Sequence, residues 1–400
     1  MLTPTEARAR ILAALADVAP LAAERVPLAA ALGRALAEDL AASEDVPGYD
    51  ASTMDGYALR ATDARAPGVR LPVAFEVFAG GPAPAPLPEG ACCRIFTGAP
   101  LPEGANAVEM QEEVRRAGKA AVFQRAGERG RFVRRRGSDL TEGEVALRAG
   151  VIVDPGAIGL AAGLGRAELA VPRRPRVAIL PTGDEIVPVG RRAGPGQVIE
   201  SNGHALAAAV RDAGGDPFLL PVARDDAASL ARALENARGA DALVTTGGVS
   251  VGTRDLVRTA LERAGAQLGF WRVAMRPGKP FTFGRWGRTA VFGLPGNPAS
   301  ALVTFELFAR PALRSMMGHT DPYRPEVVAR VDGGLGRRRD GKVHFDRVRV
   351  RLDGGRYVVE GVHNQESNAL ASSAMAEGLA ILPDGDGLAD GDDVTVMLIG

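Results

Sequence analysis

Cysteine is almost absent from this chain: there are two in 400 residues, and they are neighbours. Cys92 and Cys93 cannot staple a loop, so a disulfide-built secreted scaffold is excluded and a reduced, cytoplasmic setting is expected. The four histidines have no metal-ligand spacing with one another, which argues against a zinc hydrolase site of the His type. No run of eighteen apolar residues occurs, and the N-terminus lacks the basic, apolar, small-residue order of a signal peptide; neither a membrane span nor a leader is read. Charge of one sign is also missing. Lys plus Arg and Asp plus Glu number 48 each, so a general nucleic-acid or anionic-membrane binder is not expected. Finally, no G-x-S-x-G, no P-loop and no Rossmann fingerprint stands in its proper context.

What is present is a chain long enough for several domains, with 46% hydrophobic residues but only 5% aromatic ones. Fifty Gly and 28 Pro are scattered and mark turns rather than disorder. Thr3-Pro4-Thr5-Glu6 predicts a helix start with a capping box. A second helix is expected from about Pro27 to Ala41. Between Ala58 and Phe123 short β-like runs alternate with turns, preceded by a loop carrying Asp50 and Asp55. Five arginines crowd Arg129 to Arg136 and read as a solvated face, followed by Gly137-Ser138-Asp139. Asp154-Pro155-Gly156-Ala157 opens another helical stretch, so the β module reads as inserted between helical pieces.

Beyond Arg173-Arg174-Pro175, strands and helices alternate, which predicts a parallel sheet with crossover helices. Strands are expected at 177–180, 218–222, 242–245, 270–274 and 290–292. Asp225 or Asp226 reads as the cap of a helix up to Ala237. The last eighty or so residues return to β alternation and read as a small β domain. The boundaries are 1–43 and 130–172 for a two-piece helical linker domain, 44–129 for the inserted β module, 173–318 for the α/β domain and 319–400 for the last.

Ligands of an open parallel sheet bind at the carboxyl ends of its strands. Loops 181–185, 200–203, 246–252 and 294–298 fall at that edge, and 275–280 is expected to face the same way. They offer glycine-rich backbone, the hydroxyls of Thr182, Thr246 and Ser250, the carboxylates Asp184, Glu185 and Asp255, and the cations Arg272, Arg276 and Lys279. In Leu294-Pro295-Gly296-Asn297-Pro298, Asn297 is expected as N-cap and Pro298 as first helical residue, leaving N–H groups for an anion. This set suits a phosphorylated substrate with a hard cation such as Mg²⁺, which prefers carboxylate, water and phosphate oxygens.

Taken together, Ser52-Thr53-Met54-Asp55-Gly56-Tyr57-Ala58, Thr97-Gly98-Ala99-Pro100, Arg135-Arg136-Gly137-Ser138-Asp139, Thr182-Gly183-Asp184-Glu185, Ser201-Asn202-Gly203, Thr246-Gly247-Gly248-Val249-Ser250-Val251-Gly252, Pro277-Gly278-Lys279-Pro280 and Gly293-Leu294-Pro295-Gly296-Asn297-Pro298 give a chain that resembles the molybdopterin molybdenumtransferases, the MoeA family related to the gephyrin E domain. The match runs in order over nearly the whole chain. It implies a multidomain α/β plus β protein: a three-layer molybdopterin-binding α/β domain with a parallel-rich sheet, an inserted β module, a two-piece helical linker domain and a C-terminal β barrel. It implies a cytoplasmic homodimer whose cleft is shared, Asp55 and Thr97 of one subunit reaching the α/β domain of the other, and the molybdopterin adenylyltransferase as a candidate partner. The reaction implied is insertion of molybdate into adenylylated molybdopterin, with Mg²⁺-dependent release of AMP.

In that reading Asp55, Glu185 and Asp255 are catalytic, and Asp184, Glu185 and Asp255 bind Mg²⁺. Thr97, Thr182, Gly183, Ser201, Asn202, Thr246, Gly247, Gly248, Ser250, Arg272, Arg276, Lys279, Pro295, Gly296, Asn297 and Pro298 bind substrate. Asp139, Asp225 and Asp226 stay open between site and structural roles. Two other functions are weighed: adenylylation of molybdopterin, which the inserted module and terminal domain disfavour, and a non-catalytic gephyrin-like scaffold, which the retained acidic loops disfavour.

Overall fold

The computed structural model describes residues 1–247, 256–337 and 339–400; of Trp271 only the backbone is described. The chain forms two compact units, one from 1–37, 150–154 and 168–400, the other from 38–149 and 155–167.

The centre of the first unit is a six-stranded sheet. Its strands are β1 (Arg176–Pro181), β2 (Asp216–Leu219), β3 (Ala242–Thr246), β4 (Gln267–Arg272), β5 (Pro280–Trp286) and β6 (Thr289–Leu294), in the order β2-β1-β3-β6-β5-β4. The first four strands of that order are parallel, and β5 runs against both of its neighbours. β5 is the strand that periodicity missed. It joins β6 through a tight turn at Gly287, whose φ of 59° suits a residue without a side chain.

Helices α1 (Asn202–Asp212), α2 (Ala227–Asn236) and α3 (Leu256–Arg263) are followed by α4, which runs as Pro298–Thr304, a π turn Phe305–Ala309, and Arg310–Met316. Pro311 has no N–H to give the preceding turn, and the π turn absorbs that break. One face of the sheet packs against α1, α4 and the N-terminal helix Pro4–Ala14, the other against α2 and α3, giving three layers.

The N-terminal helix has the expected capping box: Thr3 Oγ1 accepts from the Glu6 N–H, and the Glu6 carboxylate accepts from the Thr3 N–H. The second expected helix is a correction. It covers only Leu28–Ala31, because Gly33 turns at φ 75° and the chain then pairs as β with 151–153. With Ala23–Pro27 paired to Glu168–Pro172, the segments read as a helical linker domain carry strands as well as helices and are divided between the two units.

In the same unit, Val343–Asp353, Arg356–Gly361, Glu326–Asp332, Asp393–Leu398 and Gly378–Leu382 pair in that order, and the last pairs back to the first. This is a closed five-stranded barrel. Met275–Arg276 adds to it as a short parallel strand against Val343–His344.

The second unit carries a six-stranded sheet in the order 107–110, 56–59, 92–95, 70–77, 120–123 and 114–117. Cys92 and Cys93 are buried in its central strand, where burial pushes both thiols up to about 12, so they are packing residues. The arginine run is not a bare solvated face. Arg131 pairs with Glu113, Arg135 with Asp50 and Arg136 with Asp45.

A buried histidine gives the first unit an acid sensitivity. His319 is 6% exposed and its Nδ1 sits 3.1 Å from Arg314. Burial, then Arg314 and Arg310, lowers its pKa from 6.5 to about 4. The unfolded chain takes up a proton below about pH 6.5 and the folded chain does not until about pH 4. The stability is therefore fully present above pH 6.5 and is lost as pH falls toward 4, by on the order of 2–3 kcal/mol. Urea unfolding between pH 4 and 7 should show this slope, and His319→Gln should flatten it; an unchanged slope in the variant would assign the effect elsewhere.

Candidate functional site

The parallel strands β1, β3 and β6 lie side by side, and their carboxyl ends deliver three loops to one edge. Hydrogen bonds across strands set this edge. The Thr182 N–H donates to the Thr246 carbonyl at 3.0 Å, and the Gly247 N–H to Leu294 at 3.3 Å. Asn202, at the start of α1, ties the β3 and β6 loops together: its amide donates to Thr246 Oγ1 at 2.9 Å and to the Gly296 carbonyl at 2.7 Å. Close approach explains the glycine at 247. A Cβ there would sit 2.7 Å from the Thr182 carbonyl oxygen, at a φ of 92°.

Asp184 and Glu185 project from the β1 loop, both exposed. The N–H of Asp225 donates to Asp184 Oδ1 at 3.2 Å. Burial, then Asp184, then Glu185, raises the pKa of Asp225, so a third carboxyl feels this acidic loop. Asp226 is the cap: its side chain accepts from the Ser229 N–H at 2.7 Å. Of the two residues left open between capping and function, one is therefore a cap and the other an acidic neighbour of the site. Ser201 precedes α1 without a side-chain capping bond; the Glu200 carboxylate takes that place through the Gly203 N–H at 2.6 Å.

On the other side of the edge, Arg276 and Lys279 line a cavity of about 340 Å³ with Pro295, Asn297 and Ser300. The barrel completes it with Lys342, Gln365, Glu366 and Ser367. Its wall is fixed by Arg347, 2% exposed, whose guanidinium donates to the carbonyls of Asn364, Glu366 and Ala369. Arg272 is exposed at the carboxyl end of β4 on the same edge. Pro298 begins α4 as expected. Asn297 holds the expected N-cap position but makes no side-chain capping bond: its amide donates to Ser367 Oγ, and the Ala299 N–H is taken by the Ser367 carbonyl. The barrel thus uses part of the helix start that was expected to be left for an anion.

Gly248, Ser250 and Asp255 lie outside the described residues. Asp55 and Thr97 belong to the second unit and are brought together there. The Thr97 N–H and Oγ1 both donate to Asp55 Oδ1 at 2.8 Å, and the backbone bond first, then the hydroxyl, lowers the Asp55 pKa. Asp139, in the same unit, is exposed and 3.5 Å from Arg134.

Among the described residues no three His, Cys, Asp or Glu side chains gather around a point where a metal ion could sit. Two adjacent exposed carboxylates suit a cation carried on substrate phosphates, which is how Mg²⁺ is commonly held, rather than an all-protein cage. The sequence reading missed Lys342 and the 365–367 wall. The signal for Lys342 was its place at the end of the basic stretch Arg337-Arg338-Arg339-Asp340-Gly341-Lys342; the wall had none.

Three family models match the chain in order: the MoeA N-terminal region (domain I and II) over residues 2–165, a probable molybdopterin binding domain over 178–315, and the MoeA C-terminal region (domain IV) over 337–399. The molybdopterin molybdenumtransferase 2 of Mycobacterium tuberculosis is 40% identical over 369 residues, covering 90% of each chain. The molybdopterin molybdenumtransferase of Haemophilus influenzae is 34% identical over 99% of this chain and 98% of its own. The crystal structure of the molybdopterin biosynthesis MoeA protein from Pyrococcus horikosii superposes with a TM-score of 0.86 at 32% identity, over 100% of this chain and 99% of that one. With relatives this similar along nearly its whole length, the chain belongs to the MoeA family of molybdopterin molybdenumtransferases, transferases of molybdenum cofactor biosynthesis.

Proposed function

We propose that this protein inserts molybdate into adenylylated molybdopterin, releasing AMP and yielding molybdenum cofactor. The observation that carries the reading is the polarity of the sheet edge: carboxylates at the β1 loop, cations beside the β6 loop, and between them the β3 and β6 ends tied together by Asn202. A phosphoanhydride joining two large groups, with a tetrahedral oxyanion as second substrate, matches such a site. Arg276, Lys279 and Lys342 offset the charge of the oxyanion and of the phosphoryl oxygens as AMP departs. Asp184 and Glu185, with Asp255, would hold Mg²⁺, whose chemistry is to offset anhydride charge. Thr182, Thr246 and the Gly183 and Gly247 backbone shape the anhydride's seat.

The protein acts in this proposal as a homodimer, and the Asp55–Thr97 pair of one subunit reaches the substrate held by the other. That pair is preorganised for an anionic role, since two hydrogen bonds keep the carboxylate ionised.

The test is AMP release from adenylylated molybdopterin with Mg²⁺, with and without molybdate. Wild type should release AMP only with molybdate, and Glu185→Gln should slow it by about 10²-fold. Mixing Asp55→Ala with Lys279→Ala protein should restore part of the activity each lacks alone. AMP release that ignores molybdate, or no release despite tight binding, would sink the insertase reading; failure of the mixture would sink only the shared site.

A further inference from the structure

A cavity of about 800 Å³ on the first unit opens beside the β1 loop and is lined by Gly183 and Asp184, so it is continuous with the proposed site. It is within the size range of small-molecule pockets. Its walls mix apolar side chains, among them Ile186, Val187 and Leu219, with the polar Gln197, His204 and Arg224. The apolar side chains suit the faces of a flat ring, and the polar ones its edge.

One lining side chain is anomalous. Glu200 is 5% exposed, and its Oε1 accepts from the Gly203 N–H at 2.6 Å. Its Oε2 is buried and no hydrogen-bond donor among the described residues reaches it. His204 Nε2 stands 3.6 Å away, beyond hydrogen-bond reach, on a side chain that is 58% exposed and can swing aside. A buried carboxylate oxygen without a donor is costly, by roughly 1–3 kcal/mol or more for a charged group. The glutamate is also locked in place. A Cβ at residue 203 would meet Leu219 at 2.6 Å and Glu200 Oε1 at 3.1 Å, so neither α1 nor the carboxylate has room to shift toward the other.

We infer that this cavity takes the pterin ring of the substrate, with Glu200 as the acceptor for its 2-amino-4-oxo edge. That edge presents N3–H and a 2-amino group side by side, two donors, and an ionised carboxylate is acceptor-only. An adenine edge sets a ring-nitrogen acceptor beside its amino donor, and a carboxylate repels that acceptor. The inference rests on the proposed function for the substrate's identity. It assigns Glu200 to recognition and leaves bond breaking to the β1 and β6 loops.

The experiment pairs two readouts on the full-length protein. In the first, pterin fluorescence is titrated with wild type, Glu200→Gln and His204→Ala, with lumazine, which has an oxo group in place of the 2-amino group, as the comparison. Wild type should bind pterin at least tenfold more tightly than lumazine. Glu200→Gln, which keeps the acceptor for the Gly203 N–H, should lose that preference, and His204→Ala should keep it. In the second, AMP release by Glu200→Gln should show KM for adenylylated molybdopterin raised about tenfold with kcat within twofold. Equal pterin affinity in wild type and Glu200→Gln, or loss of binding with His204→Ala alone, overturns the assignment. If wild type binds pterin with this preference yet releases no AMP, the functional reading fails while the pterin site stands.

Discussion

The double variant Arg276→Ala, Lys279→Ala is expected to lose molybdate-dependent AMP release by about 10³-fold, with little change in stability. Preorganised charge aimed at developing negative charge is commonly the largest single catalytic contribution, and one such group removed costs about 10²–10³. Both side chains are exposed in the cavity beside the β6 loop, so truncation should shift stability by no more than about 0.5 kcal/mol. Because the Arg276 backbone, not its side chain, carries the pairing to Val343–His344, the loop keeps its place. Arg276→Lys keeps the charge but loses the planar fork, so it should fall between wild type and alanine. The measurement is kcat/KM for AMP release over a molybdate series. A double variant within tenfold of wild type would remove these cations from the chemistry.

Gly56→Ala should destabilise the second unit by about 3 kcal/mol or more, at the upper end of overpacking costs. The added methyl would lie 2.0 Å from the Glu109 carbonyl oxygen and 2.9 Å from its carbon. The strand Gly56–Leu59 cannot retreat, being paired to Cys92–Ile95 on one side and Ala107–Met110 on the other. Urea titration followed by limited proteolysis of 38–149 should show that unit opening first. Asp55, one residue away, should then lose its Thr97 partner in the same transition. A midpoint unchanged from wild type would mean the sheet accommodates the methyl after all.

The α/β sheet was legible because its strands are short apolar runs separated by amphipathic helices with caps. Asp226 and Thr3 were readable for that reason. β5 was not, because Phe281–Trp286 follows β4 without a helix between and only tertiary pairing gives it a place. The region 28–41 misled in the opposite direction: its alanine and leucine spacing is helical, but Gly33 and long-range pairing with 151–153 override propensity. In the site, glycine-rich loops and charged residues announced themselves, whereas Glu200 looked like an ordinary polar residue before a helix. Burial is what makes it informative, and no local pattern in the sequence announces that burial. Asn297 shows the same limit: a capping signal is local, and the competing partner Ser367 is seventy residues away.

Met275–Arg276 forms a rung of the barrel while Lys279 and Pro280 lead into β5. The basic half of the reaction edge is therefore a joint between two sheets rather than a possession of either. A truncated chain ending at residue 318 would inherit the acidic loop intact and a cation loop with nothing to brace it. In the proposed reaction such a fragment would hold one end of the substrate and not deliver the other, which would make the terminal barrel necessary to a two-sided chemistry.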